Sequence, residues 1–171
     1  APMGGQSGTV GTSRYDHGLA TSALAEVSQS VSEVGVFSFS AAPPSYFGTS
    51  INSSRSQPIG KFVPATVLLS SQVLTGSCDA ANPYTYIGQP FTLSGTLTAQ
   101  NVQGQRTYNY SGAFALGRLG YVSEFAGADQ SARLVDNGPA PLWNQGQAAN
   151  FSNSDIRFAR NAPEGPFTDV Q

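Results

Sequence analysis

His17 is the single histidine of this chain, and Asp16 precedes it. A Ser–His–Asp triad or a zinc centre needs further convergent partners, and no Cys/His cluster supplies them. Cys78 is also alone. Without an internal partner, it reads either as a small buried hydrophobe or as a half-cystine paired outside these residues. Asp129, Asp136 and Asn137 carry the oxygens calcium takes, but they lie in Gly-rich turns without EF-hand or repeat spacing. Turn chemistry accounts for them. Lys61 is the one possible donor for an internal Lys–Asn isopeptide bond. The 10 acidic residues are scattered, so no carboxylate pair suited to glycoside hydrolysis stands out. No catalytic, cofactor or metal site is expected, and the chain reads as a non-enzyme.

The aromatic side chains are better candidates for recognition. Tyr84, Tyr86, Tyr108, Tyr110 and Trp143, with Tyr121 beside them, would make a sugar-stacking or protein-binding face if they pointed outward. Aromatics at alternate strand positions more often pack inward. Asn52, Asn109 and Asn150 each head an N-x-S sequon, which matters only in a glycosylating host.

Composition excludes several partners. Charged residues make up 11 % of the chain, against about 25 % in an average domain. With 39 % hydrophobic and 11 % aromatic residues, the chain lacks the charge-rich signature of disorder and reads as a folded, Gly/Pro-punctuated all-β protein. The net charge is −2 and the 8 basic residues form no stripe, so nucleic acid is not an expected partner. The apolar runs fall well short of the roughly 20 residues of a transmembrane helix. The opening APMGGQSGTVG has neither the charged region nor the apolar run of a signal peptide.

Positioning falls to strands. In Phe91–Ala99, Phe91, Leu93, Leu97 and Ala99 share one parity, and Thr92, Ser94, Thr96 and Thr98 share the other. That alternation predicts a strand with one row in a core. Asn101-Val-Gln-Gly104 then reads as a turn, and Arg106–Tyr110 as the returning arm of a hairpin. Further strands are expected over Ser32–Ala41, Thr66–Leu74, Ala113–Leu119, Arg118–Phe125, Arg133–Val135, Trp143–Phe151 and Ile156–Phe158. Residues 1–14 read as a flexible terminus, and 15–59 as a strand segment and linker (Tyr15–Val31 ambiguous within it). Residues 60–171 read as one immunoglobulin-like antiparallel β-sandwich. The polar stretch Ser45–Pro58 is the best boundary candidate.

Three strings carry a family resemblance: EVGVFSFSAAPPSYFG at Glu33–Gly48, IGKFVP at Ile59–Pro64, and YTYIGQPFTLSGTLTAQNVQGQRTYNYSGAFA at Tyr84–Ala115. Together with the later IRFARNAPEGPF, they resemble the domain of unknown function in MshQ-like proteins. Those proteins accompany the mannose-sensitive haemagglutinin class of bacterial type IV pili. Lys61 stands where that family usually has Arg, and Ala65-Thr66 replaces its Asp-His. The resemblance implies a bacterial surface location, outer-membrane or pilus-associated, and brings no catalytic residue.

The expectation is a non-catalytic extracellular structural or adhesive protein of a pilus or surface filament. Its partners would be other filament subunits or further copies of itself. Val34, Val36, Phe37 and Phe39 are candidates for a strand added to a neighbour's sheet. A carbohydrate-binding adhesin module with an aromatic face is the alternative, with surface glycans as partners. A surface glycosidase comes third.

Overall fold

The computed structural model describes residues 4–16, 26–76, 84–125 and 127–160. His17, Cys78 and most of the ambiguous 15–31 segment lie outside the described residues. The fold is all-β, and its strand pairings are antiparallel. The strands are β1 (Gly35–Phe37), β2 (Ser40–Ala41), β3 (Ser54–Arg55), β4 (Ile59–Phe62), β5 (Thr66–Thr75), β6 (Phe91–Gln100), β7 (Glu124–Phe125), β8 (Ala128–Asp129), β9 (Leu134–Asp136) and β10 (Gln147–Phe158).

The chain divides into two compact units. The first comprises residues 1–67, 99–115 and 144–146, and the second residues 68–98, 116–143 and 147–171. Residues 99–115 and 144–146, expected within the sandwich, thus group with the N-terminal segment.

The second unit is built on the sheet β5–β6–β10–β9. Its core follows from the alternation in β6 and a complementary row in β10. Ala148 opposes Leu97, and Ile156 opposes Phe91. Leu97, Ala148, Phe151 and Ile156 are buried. Two register shifts interrupt β10, between Ala148 and Phe151 and between Asn153 and Ile156. Such bulges break strict alternation, which is why one long strand reads as two segments in sequence. The strand order alone does not specify an immunoglobulin-like topology.

In the first unit β1 pairs with β4, and Phe37 packs against Phe62 with ring centroids 6.0 Å apart. The expected hairpin after β6 is shorter than the pattern suggests. The turn forms, with Asn101 N donating to Gln105 O and Gly104 N to Asn101 O. Beyond a single bridge at Arg106, the returning arm leaves the ladder. The amide and hydroxyl of Thr107 both donate to Ala99 O. The amides of Tyr108 and Asn109 turn instead to the carboxylate of Glu33, at 2.9 and 3.1 Å. Side-chain acceptance of those two donors ends the strand.

Two further expectations change. Gly112–Phe114 is a 3-10 turn where a strand was expected, and the next strand is confined to Glu124–Phe125.

Candidate functional site

Glu33 organises the first unit. It is buried, and besides its bonds to Tyr108 and Asn109 it lies beside the amide of Val34. Buried Asn109 extends the network. Its Oδ1 accepts from Gln6 N at 2.7 Å, and its Nδ2 donates to Gln6 O at 2.7 Å and to Val34 O at 3.2 Å. A side-chain amide here pairs with a main-chain segment as a strand neighbour would. Within the stretch expected to be a flexible terminus, Gln6, Thr9, Gly11 and Thr12 are all hydrogen-bonded to more distant residues.

Beside this network lies a groove of about 330 Å3, lined among others by Thr9, Ser32, Val34, Phe62, Asn101 and Gln105. Its polar lining bonds within itself. Thr9 bonds Ser32, Asn101 Nδ2 donates to Ser32 O and Gln105 Oε1, and Asn101 Oδ1 accepts from the amides of Gln103 and Gln105. Those groups are committed to holding the turn.

The candidate inter-subunit strand is placed within its own chain. Val34 is buried, and Gly35 and Phe37 pair with Phe62 and Ile59. Of the candidate aromatics, Tyr110 in the first unit and Trp143 in the second are buried. Tyr108 is exposed in the first unit, with the Arg106 guanidinium 4.8 Å from its ring centroid. Tyr84 and Tyr86 are exposed in the second unit as an edge-to-face pair 5.4 Å apart.

The acidic candidates Asp129 and Asp136 end strands β8 and β9, and their side chains cap the turns that follow. Asp129 Oδ1 accepts from Ser131 N at 2.8 Å, and bonds to the Ser131 side chain and then its backbone hold the exposed carboxyl below the usual range. Asp136 Oδ1 accepts from Gly138 N at 2.9 Å and from Asn153 Nδ2 at 2.7 Å. Among the described residues no three His, Cys, Asp or Glu side chains group to hold a metal ion. Lys61 lies exposed in β4.

Two exposed features carry no such internal account. One is β5, which among the described residues forms one edge of the four-stranded sheet, with β9 at the other. Its ten residues TVLLSSQVLT include no charge, and Leu68, Val73 and Leu74 are exposed, Leu74 by 69 %. Ser71 has a left-handed backbone (φ 51°) and divides the strand into two reaches. Opposite it, Gly95 of β6 leaves room for the displaced chain: an added Cβ would lie 2.9 Å from Ser70 O.

The other is the finger between β2 and β3, most of it within Ser45–Pro58, a stretch whose composition predicts a polar loop. Every residue from Ser40 to Arg55 is exposed. At its tip Tyr46 and Thr49 exchange two main-chain hydrogen bonds of 2.9 Å around Phe47-Gly48. Phe47 is 90 % exposed and Tyr46 66 %. A Tyr-Phe-Gly-Thr run following Pro-Pro was the available signal, since Gly favours a tight turn and the aromatics flank it.

Among the described residues no helix is long and apolar enough to cross a membrane. No curated protein matches this chain, and no solved structure does. Residues 33–171 match the sequence model of DUF6701, third domain. The match starts at the buried Glu33 and covers most of the described residues, so the chain belongs to the DUF6701 family.

Proposed function

We propose that this chain is a non-catalytic structural or adhesive module of a bacterial pilus or surface filament, and that it assembles by strand addition at β5. The observation that carries this reading is the β5 edge. Edge strands present unpaired main-chain donors and acceptors, and monomeric proteins usually blunt them with charge, proline or brevity. The β5 strand has none of these. It is ten residues long, lacks lysine and proline, and exposes Leu68, Val73 and Leu74. In strand addition main-chain bonds supply affinity and alternate side chains supply selectivity.

The role falls to β5 rather than to the Val34–Phe39 segment, whose β1 portion already pairs with β4. The resemblance to MshQ-like proteins supports the envelope location and filament partners. A carbohydrate-binding face draws less support, because Tyr110 and Trp143 are buried.

Sedimentation analysis tests the reading. The wild-type chain is expected to self-associate or to capture filament subunits from its native surface. Leu68→Lys combined with Val73→Lys should abolish this, with an unchanged circular dichroism spectrum. A wild-type chain that stays monomeric and captures no subunit would refute the proposal. So would equal assembly by the double variant.

A further inference from the structure

The β2–β3 finger points to a second activity, independent of the β5 edge. Residues 34–54 contain no Asp, Glu, Lys, Arg or His. The first charge on the far side is Arg55, at the base of the finger in β3, opposite Ser40. The ribbon is tied below by Ser56 N to Phe39 O (2.8 Å) and Phe39 N to Ser56 Oγ (2.9 Å). Pro43 and Pro44 fix φ along one arm. At the tip Phe47 (φ 47°) and Gly48 (φ 77°) are both left-handed. A two-residue turn of this kind favours Asn or Gly at its first position. A phenylalanine held there costs conformational energy, and such outliers gather at sites of function.

The ring geometry narrows the occupant. Tyr46 and Phe47 lie 4.5 Å apart at 80°. Perpendicular rings do not form a flat platform for a sugar face. They form a wedge, with Ile51 exposed on the same uncharged loop. A wedge without charge suits the headgroup–acyl boundary of a bilayer, where desolvating an ion is unfavourable and amphipathic aromatics accumulate. Tyr46 and Thr49 satisfy one another's amide and carbonyl, which leaves only the Phe47-Gly48 backbone to be solvated at the interface and limits the tip to shallow insertion.

We propose that this finger is a peripheral membrane-contact element that inserts Phe47 and Tyr46 into the interface of a lipid bilayer. Insertion is shallow and reversible, since so few apolar side chains give only marginal binding when a module acts alone.

The test uses the full chain with vesicles of phosphatidylcholine, alone and mixed with phosphatidylglycerol, at millimolar lipid. The native Trp143 is buried, so Phe47→Trp adds a reporter whose emission should shift to the blue on vesicle addition. In co-sedimentation, Phe47→Ser should lower partitioning about tenfold while circular dichroism stays unchanged. The proposal is overturned if the reporter does not shift at millimolar lipid, or if Phe47→Ser partitions as well as wild type. A shift produced by mannose oligosaccharides or by a soluble protein, with vesicles silent, also overturns it.

Discussion

Glu33 accepts two main-chain amides from residues 75 and 76 positions away in the chain. Glu33→Ala would leave those buried donors without an acceptor, at about 1–3 kcal/mol each. A urea unfolding midpoint should fall accordingly, and Glu33→Gln, which keeps one acceptor oxygen, should fall less. If Glu33→Ala unfolds at the wild-type midpoint, the carboxylate does not hold this turn.

Tyr121 gives a pH signature in the second unit. Burial pushes its phenol above the usual 10.0; the hydrogen bond from Asn153 works against this, and the nearby Asp136 carboxylate adds to it. The unfolded chain therefore loses this proton first. Stability linked to Tyr121 is complete below about pH 10 and is lost as pH rises through the folded-state value. Tyr121→Phe should flatten that alkaline decline in thermal unfolding, and an unchanged slope would assign it elsewhere.

Elements show which parts of the fold sequence can reveal. The parity of Phe91, Leu93, Leu97 and Ala99 announces β6 because its alternation is interrupted only at Gly95, and Leu97 and Ala99 are indeed buried. Asp136-Asn-Gly138 announces its turn through local chemistry that needs no distant partner. Glu33 gives no such sign. An acidic residue in a polar stretch looks like surface, and its partners are amides, which every residue carries. The exposure of β5 is equally silent, since Val-Leu-Leu reads as core whether or not a second layer covers it.

Asn153 illustrates the same limit. It is buried, bonded to Tyr121 and Asp136, and accepts from Asp155 N at 3.0 Å. Its amide fills the space that a Cβ on Gly138 would need. Gly138→Ala should therefore destabilise by about 1–3 kcal/mol through overpacking, read as a lower melting temperature. An unchanged melting temperature would mean that Asn153 moves aside freely.

For the whole molecule, β5 and the finger make different demands. In the proposed assembly the strand edge would join one subunit to the next, whereas a shallow aromatic wedge contributes little until many act together. Repetition along a filament would supply that multiplicity, because linked weak contacts gain from effective concentration. The two predictions are separable: lysines on β5 remove assembly and leave the finger intact, and Phe47→Ser does the reverse.

The reciprocal bonds between Gln6 and Asn109 have one more consequence. Gln6 precedes residue 33, where the family match opens, while Asn109 lies well inside it. The matched span and the hydrogen-bonded unit therefore do not end at the same residue. Gln6, upstream of the match, completes the hydrogen bonding of buried Asn109 within it, so truncating the chain at residue 33 should lower the stability of the first unit.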